Sequence, residues 1–246
     1  QAVYALDVQS GTPLYSYNAT LARHPASVTK LMTAVLSRDL YYLDQVLDTD
    51  LSQRTLGTVI DFVGGESQTV RSLLKAALIQ SGNDAATILA ERHPQGYSAF
   101  IQAMNDTAKK LKLEQTTFTN PTGLDDVGHK MSAKDVTTLF AFALRDTFLR
   151  ETLSQSSIEI FDSTGDIKRT LYTTNQLLFS DTVLAGKTGT TELAGQVLTS
   201  LVTIDGHEVI ITVMGSSDRY ADTIAVYDWI SETYTWVDGS ELNLVH

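Results

Sequence analysis

The chain has 246 residues, of which 43% are hydrophobic and 19% are charged, and this composition is typical of a globular protein. Lys and Arg number 18 against 29 Asp and Glu, so the net charge of −11 argues against nucleic acid as a partner. Because cysteine is absent, the sequence excludes disulfides, thiolate metal sites and a cysteine nucleophile. No apolar run reaches the ~18 residues of a membrane span, and residues 1–20 lack the signal-peptide pattern. We therefore expect no membrane anchor in this chain.

The first part of the chain predicts a β-hairpin followed by helices. Residues 2–8 alternate in hydrophobicity, and 14–17 follow the turn-forming sequence Ser10-Gly11-Thr12-Pro13. Apolar residues then recur at spacings of three and four, which predicts five helices. The first begins near Ser27, and the others cover about 70–78, 84–92, 100–111 and 136–144. Ser132 and Asp135 predict a capping pair at the start of the fifth helix.

After residue 157 the pattern changes to short β-branched and apolar runs, which predict strands at 158–161, 167–171, 183–187, 197–204 and 209–214. Asp205-Gly206 predicts a two-residue hairpin turn, and 221–233 a closing helix. We expect an α+β fold in which both chain ends build one antiparallel sheet, with flanking helices and an inserted mostly helical subdomain. The sheet region would span about 1–26 and 155–246, and the helical region 27–154, within a single domain, 1–246. Residues 56–65 fit no motif.

The first chemical motif is Ser27-Val28-Thr29-Lys30 at the start of the first predicted helix. Residues three apart share a helix face, so the Ser27 hydroxyl and the Lys30 amine can approach each other. A serine needs a base to take its proton, and a lysine can do so when burial or nearby positive charge lowers its pKa. An isolated match of this kind is usually a helix N-cap with a solvated lysine.

Two further motifs strengthen the catalytic interpretation. Ser81-Gly82-Asn83 lies between two predicted helices, where the ordinary alternative is a helix C-cap with Gly82 in a left-handed conformation. Lys187-Thr188-Gly189 lies at the end of a predicted strand and would supply positive charge, a hydroxyl and room for a substrate backbone. Two lysines near one serine would lower each other's pKa by repulsion, which helps one to act as a base.

The ordered triple Ser-x-x-Lys, Ser-Gly-Asn and Lys-Thr-Gly resembles the penicillin-recognising serine acyl-transferases. Three longer segments narrow the resemblance to one family within this group. They are Pro-Ala-Ser-Val-Thr-Lys-Leu-Met-Thr-Ala, Asn-Pro-Thr-Gly-Leu with His129, and Gly-Lys-Thr-Gly-Thr-Thr. They are similar to a low-molecular-mass penicillin-binding protein of the D-alanyl-D-alanine carboxypeptidase family, from about Ala2 to Trp229. The resemblance implies a β-lactamase/D,D-peptidase-like fold and a peptidoglycan stem peptide ending in D-Ala-D-Ala as substrate. It also implies covalent inhibition by β-lactam antibiotics, and it calls for no cofactor or metal.

The resemblance further implies roles for individual residues. Ser27 would attack the substrate carbonyl while Lys30 takes its proton, Ser81 would relay a proton to the leaving D-alanine, and Asn83 would bind the substrate amide. Lys187 would keep the site electropositive and orient Ser81.

The same resemblance implies a substrate-binding edge made of Thr188, Gly189 and Thr190. Thr188 would bind the terminal carboxylate, and the backbone amides of Ser27 and Thr190 would form the oxyanion hole. Arg219, which follows the last predicted strand, could help to recruit the carboxylate by charge-assisted pairing.

Three rival functions stay open at this stage. A class A β-lactamase would add a Glu-x-x-x-Asn element, but no glutamate among Glu91, Glu114, Glu151 and Glu159 has Asn four residues on. A D,D-transpeptidase differs only in letting an amine attack the acyl-enzyme, and a catalytically silent cell-wall binding module would have no need of all the motifs. Because the family's substrate lies outside the cytoplasmic membrane, we expect an extracytoplasmic location. The scattered histidines are expected to be solvated or core residues rather than metal ligands.

Overall fold

Nine strands occur in the residues that the computed structural model describes, 1–52, 55–63 and 65–237. They are β1 (Ala2–Asp7), β2 (Pro13–Tyr17), β3 (Val46–Asp48), β4 (Ser67–Thr69), β5 (Ser157–Phe161), β6 (Lys168–Tyr172), β7 (Val183–Thr191), β8 (Gly195–Ile204) and β9 (His207–Ser216). Five of them form one antiparallel sheet in the order β2-β1-β9-β8-β7, and β3-β4 and β5-β6 form two small antiparallel pairs. Both chain ends therefore build the main sheet, as predicted. The end of the predicted sheet region, 238–246, lies outside the described residues.

Seven helices accompany these strands in the described ranges. They are α1 (Lys30–Leu40), α2 (Val70–Leu78), α3 (Asn83–Glu91), α4 (Tyr97–Lys110), α5 (Ala133–Ala143), α6 (Thr147–Leu153) and α7 (Arg219–Thr233). Helices α1 to α6 lie between β2 and β5 in the chain, and α7 follows the last strand, β9. The predicted α+β architecture with an inserted helical region is confirmed.

The main sheet is buried on both faces because strand side chains alternate between two cores. Ile210 and Met214 of β9 pack with the helical region in the larger core. Ile211 and Val213 pack on the other face with α7, which contributes Ile230. This double burial explains why β8 and β9 are almost continuously apolar in sequence. The sheet is thereby held rigidly between helices on either side.

The turn between β8 and β9 is the predicted two-residue hairpin. Asp205 and Gly206 both have positive φ, at 50° and 81°, and Ile204 pairs directly with His207. This backbone is the one that Asp-Gly sequences favour in hairpins, because its twist matches that of the strands.

The first helix differs from the prediction at its start. Ser27 lies in a 3-10 turn, Ala26–Thr29, and the α-helix begins only at Lys30. Ala26, the buried first residue of this turn, has a φ of 51°, which lies outside the right-handed helical region. Ser27 therefore directly follows a conformationally strained residue.

The interpretation of Gly82 as a left-handed helix cap is wrong. Gly82 has a φ of −57° and precedes α3 as its N-cap, whereas the positive φ of 66° belongs to Ser81. A Cβ on Gly82 would lie 2.7 Å from Cγ1 of Ile60, so glycine is needed there for close packing rather than for its backbone angles.

The Lys-Thr-Gly motif lies wholly inside a strand and not at its end. β7 continues to Thr191 and pairs with β8 as far as Thr191 with Gly195. The predicted end at Lys187 was wrong because Gly189, a residue typical of turns, here pairs with Val197 in the regular ladder. The motif consequently lies along the edge of the sheet, since β7 pairs with β8 alone among the described strands.

Besides the 3-10 turn Gln176–Phe179, two strands and one helix of the described residues have no counterpart among the predictions. Strands β3 and β4 have three residues each and α6 has seven, too few for a hydrophobic period to register. Of the capping pair predicted for α5, the contact of the Ser132 side chain is confirmed and the return contact of the Asp135 side chain is wrong. Ser132 Oγ accepts from the Asp135 amide at 3.1 Å, but the Asp135 carboxylate instead accepts from the Gln115 amide and the Thr116 hydroxyl.

Candidate active site

Ser27 lies where the 3-10 turn packs against the edge strand β7. A Cβ on Gly189 would lie 2.8 Å from the backbone nitrogen of Ser27 and 3.2 Å from the carbonyl oxygen of Pro25. The missing side chain of Gly189 therefore lets the strand backbone approach the serine directly. Thr190 is the next residue of the same strand.

The amine of Lys30 contacts three oxygen atoms. Its Nζ lies 3.0 Å from Ser27 Oγ, 2.6 Å from Asn83 Oδ1 and 2.8 Å from the carbonyl oxygen of Thr122. The amide oxygen and the carbonyl oxygen can only accept hydrogen bonds. A neutral amine that donates its two hydrogens to these acceptors points its lone pair at the Ser27 hydroxyl. The arrangement is that of a base ready to take the serine proton.

The environment of Lys30 favours the neutral amine that this role needs. Lys30 is fully buried. Burial lowers the pKa of Lys30 well below its usual value, and the positive charge of Lys187 lowers it further, while the carboxylate of Asp84 opposes these effects. Lys187 therefore lowers the pKa of Lys30, as the sequence predicts, although burial is the larger cause. The expected reverse effect, of Lys30 on Lys187, is not found, because burial and Arg219 lower the pKa of Lys187.

A second serine and lysine pair faces the first. Lys187 Nζ donates to Ser81 Oγ at 2.9 Å and to the carbonyl oxygen of Thr188 at 3.0 Å. Burial lowers the pKa of Lys187 to about 7, and the positive charge of Arg219 acts in the same direction. The left-handed backbone of Ser81 aims its hydroxyl at this lysine, and such strain is characteristic of functional sites.

The side chain of Asn83 lies between Lys30 and the backbone of Leu56 and has a defined orientation. Its Oδ1 accepts from Lys30, and its Nδ2 donates to the carbonyl oxygen of Leu56 at 2.7 Å. Because the Leu56 carbonyl can only accept, the nitrogen must face Leu56 and the oxygen must face the lysine. Leu56 belongs to the segment to which the sequence analysis assigns no motif.

The four residues predicted to bind substrate lie together on or beside β7. Thr188 Oγ1 lies 2.5 Å from Thr174 Oγ1. The guanidinium of Arg219 donates to the carbonyl oxygens of Gly189 at 2.9 Å and Val197 at 3.1 Å, and also to the Thr190 hydroxyl. Arg219 thus supplies positive charge to this edge while it is tied to the strand backbone.

The loop 120–126 supplies a site contact that sequence reasoning did not assign. Asn120 Oδ1 accepts from the amides of Thr122 and Gly123, at 3.1 Å and 2.7 Å, which closes a turn that presents the Thr122 carbonyl to Lys30. The Asn-Pro-Thr-Gly sequence is the available signal, since Asn favours side-chain-closed turns and Gly allows the φ of 87° at position 123.

His129 supports the serine turn from the interior, as expected for a core histidine. Its Nδ1 accepts from the Thr119 amide at 3.0 Å, so its Nε2 carries the hydrogen and donates to Thr29 Oγ1 at 2.8 Å. Burial lowers the pKa of His129 to about 4, which keeps the ring neutral near pH 7. In the part of the chain that the structure describes, no three acidic or histidine side chains are grouped closely enough to bind a metal ion.

Replacing Gly123 with alanine is expected to damage this turn. A Cβ there would lie 1.9 Å from the Ala26 carbonyl oxygen, so the residue before Ser27 would have to move. We expect a loss of roughly 2–5 kcal/mol in the free energy of unfolding, measured in urea. Gly96 is the matched control because its φ of 83° is similar and no atom lies within 4 Å of the added carbon. Gly96→Ala should cost only about 1–2 kcal/mol, and equal losses for both variants would contradict the prediction.

Comparison with known proteins shows the family to which the chain belongs. The profile of the D-alanyl-D-alanine carboxypeptidase family matches residues 1–218. The chain belongs to this family. All three motifs described above fall inside the matched range.

Individual members of the carboxypeptidase family support the match. A D-alanyl-D-alanine endopeptidase of Escherichia coli is 33% identical over 233 residues, which are 92% of this chain and 75% of that protein. The D-alanyl-D-alanine carboxypeptidase DacF of Bacillus subtilis is 32% identical, and the match covers 93% of this chain and 61% of DacF. The chain thus spans about three fifths of the length of DacF.

Solved structures agree with the carboxypeptidase-family fold. The crystal structure of the Streptomyces K15 DD-transpeptidase superimposes with a TM-score of 0.84 at 27% identity, covering 93% of this chain and 95% of that one. A D-alanyl-D-alanine carboxypeptidase from Mycobacterium tuberculosis gives a TM-score of 0.88 at 24% identity, which shows the shared fold alone, over 96% of this chain and 91% of that one. Within the described residues, no helix is both long enough and apolar enough to span a bilayer.

Proposed function

We propose that this protein is a serine D,D-carboxypeptidase that removes the terminal D-alanine from peptides ending in D-Ala-D-Ala through an acyl-enzyme on Ser27. The observation that carries the proposal is the hydrogen bond of 3.0 Å between Lys30 Nζ and Ser27 Oγ, with both remaining lysine contacts made to acceptors only. Membership of the family supports the substrate class.

In the proposed acylation step, the neutral Lys30 amine takes the proton of Ser27 as the serine oxygen attacks the carbonyl carbon of the penultimate D-alanine. Negative charge then develops on the carbonyl oxygen. The backbone amides of Ser27 and Thr190 would stabilise it, and the close approach of Gly189 to the Ser27 nitrogen supports this assignment.

The leaving D-alanine needs a proton on its nitrogen when the peptide bond breaks. The Ser81 hydroxyl, which accepts from Lys187 at 2.9 Å, would deliver this proton. With a pKa of about 7, Lys187 can exchange a proton near neutral pH. Water then attacks the ester carbonyl, the serine oxygen regains its proton, and the shortened peptide leaves.

The substrate backbone would lie along the free edge of β7. Edge strands offer unpaired amide and carbonyl groups to an extended peptide. The Thr188 hydroxyl would bind the terminal carboxylate, and the positive charges of Lys187 and Arg219 would favour an anionic group at this end. Asn83 would contact the substrate amide from the opposite side.

The family also supports coarser statements about partners and location. We propose peptidoglycan stem peptides as the natural substrates and β-lactam antibiotics as covalent inhibitors, because both present a carbonyl carbon to a serine of this kind. The extracytoplasmic side of the membrane, where that substrate lies, is the proposed place of action.

The deciding experiment measures D-alanine release from an N-acetylated tripeptide ending in D-Ala-D-Ala, with a tripeptide ending in L-Ala-L-Ala as control. We expect one D-alanine per peptide consumed and no release from the control. Adding an amine acceptor tests the transpeptidase alternative, since a dominant transfer product would favour it. Continuous consumption of penicillin would favour a β-lactamase. No release and no penicillin adduct would overturn the proposal in favour of a silent binding module.

A further inference from the structure

The segment 56–61, to which no sequence motif applies, lies directly on Asn83. The carbonyl oxygen of Leu56 accepts from Asn83 Nδ2 at 2.7 Å, and that of Thr58 accepts from the Asn83 backbone amide at 2.7 Å. A Cβ on Gly57 would lie 2.8 Å from Asn83 Nδ2. The backbone of this segment therefore contacts Asn83 as closely as van der Waals radii allow.

This contact determines which end of the Asn83 amide faces the catalytic lysine. An asparagine side chain can be turned so that either its oxygen or its nitrogen points toward Lys30. Only the oxygen can accept from the lysine, and a nitrogen in its place would oppose two donors. The Leu56 carbonyl holds the nitrogen on the opposite side, so the oxygen stays on Lys30.

The segment is in turn held by the residue that follows Asn83. Oδ2 of Asp84 accepts from the backbone amides of Ile60 and Asp61, each at 2.9 Å, and Oδ1 accepts from the Ala85 amide at 2.9 Å. Asp84 is buried, and no lysine, arginine or histidine pairs with it within the described ranges. Burying a carboxylate costs free energy, and here backbone amides offset that cost. Its presence therefore suggests a structural or electrostatic role.

We propose that the segment 56–61 is a positioning element for the active site and that Asp84 is the residue that anchors it. Asp84 ties the segment to the start of α3, and the segment keeps the Asn83 oxygen on Lys30. This inference rests on the proposed acyl-enzyme function, because it assigns a task in preparing Lys30 as the base.

Asp84 has a second, separable effect through its charge. The charges that act on the pKa of Lys30 are those of Lys187 on β7 and Asp84 on α3. Arg219, at the start of α7, acts on Lys187, and the neutral ring of His129 contacts Thr29, the residue before Lys30. Asp84 is the acidic member of this set and raises the pKa of Lys30. Loss of its charge lowers the pKa of Lys30 and extends the neutral amine to lower pH.

Two substitutions at Asp84 separate the anchor from the charge. Asp84→Asn keeps one carbonyl oxygen for the amides of Ile60 and Asp61 but removes the charge. Asp84→Ala removes both. The matched control is Asp135→Asn, since Asp135 is also a buried carboxylate in the first turn of a helix that accepts from a distant backbone amide, that of Gln115 at 2.8 Å.

The test is the rate constant of acylation by benzylpenicillin from pH 5 to 10, followed by intact-protein mass. We expect Asp84→Ala to lower the plateau of the profile by about 10²-fold, the loss typical of a misplaced reacting group, and also to move the acidic limb to lower pH because the charge is lost. Asp84→Asn should keep its plateau within about tenfold and move the acidic limb of the profile to lower pH. Asp135→Asn should leave the profile unchanged.

If Asp84→Ala does not fold, a second variant can still test the inference. Gly57→Ala leaves Asp84 intact and pushes the segment off Asn83, so acylation should slow without movement of the acidic limb. Wild-type rates in Asp84→Ala or in a folded Gly57→Ala would overturn the inference alone. A wild-type protein that forms no adduct would overturn the proposed function and this inference with it.

Discussion

Replacing Ser27 with alanine is expected to abolish the covalent penicillin adduct and to lower D-alanine release by at least about 10⁴-fold. The serine oxygen is the atom that would form the new bond, and it lies 3.0 Å from the amine of Lys30. Intact-protein mass over time after addition of penicillin measures the adduct directly. The fold should persist, because among the described residues the Ser27 side chain makes one hydrogen bond, to Lys30, and that lysine keeps two others.

A serine in the same helical segment provides the control for this prediction. Ser37 on α1 is buried, and its Oγ has no hydrogen-bond partner in the part of the chain that the structure describes. Ser37→Ala should therefore acylate at the wild-type rate and lose little stability. An adduct that still forms on Ser27→Ala would contradict the nucleophile assignment. Peptide mapping would then show whether the acyl group lies on Ser81, the other hydroxyl bound to a lysine.

The sequence predicts the two serine–lysine pairs of the site better than it predicts the backbone and the loops around them. The contact of Ser27 with Lys30 follows from a spacing of three residues, and it survives although a 3-10 turn replaces the expected helix start. The pair Ser81 and Lys187 comes from distant parts of the chain, and only the family resemblance brought it together before the structure did. The catalytic roles of all four residues stay predictions until the variants are measured.

Backbone contacts explain most of what the sequence analysis missed. Thr122 and Leu56 act through carbonyl oxygens, which every residue possesses, so their side chains carry no signal for this task. The strained backbone of Ala26 and Ser81 is equally invisible, because alanine and serine rarely adopt positive φ and nothing local favours it. Tertiary packing imposes these conformations.

The sequence predicted the fold well where a helix or strand was long enough to show a clear pattern of apolar residues. The ten-residue strands β8 and β9 and the fifteen-residue helix α7 were each recognised, with errors of about two residues at their ends. The extension of β7 past Lys187 was missed since Gly189 breaks the apolar pattern. The same glycine lets the strand approach Ser27, so the local rule failed at the point where the site needed an exception.

Replacing Lys30 with methionine is expected to slow acylation by penicillin by about 10²–10⁴-fold near neutral pH, the usual contribution of a positioned base. Methionine keeps most of the side-chain volume but has no lone pair that can take the Ser27 proton. The acidic limb of the pH profile, which reports loss of a proton from Lys30, should disappear as well. The acylation rate constant from pH 5 to 10, again by intact-protein mass, measures both effects.

The surroundings of Lys30 make this prediction specific to one lysine. Lys75 on α2 is also partly buried, and burial lowers its pKa, but no serine lies at its amine among the described contacts. Lys75→Met should therefore acylate normally, which separates the effect of a lost base from that of a lost buried charge. Normal acylation by a folded Lys30→Met protein would mean that another group takes the serine proton. Lys187, with its pKa of about 7, would then be the first base to test, through its contact with Ser81.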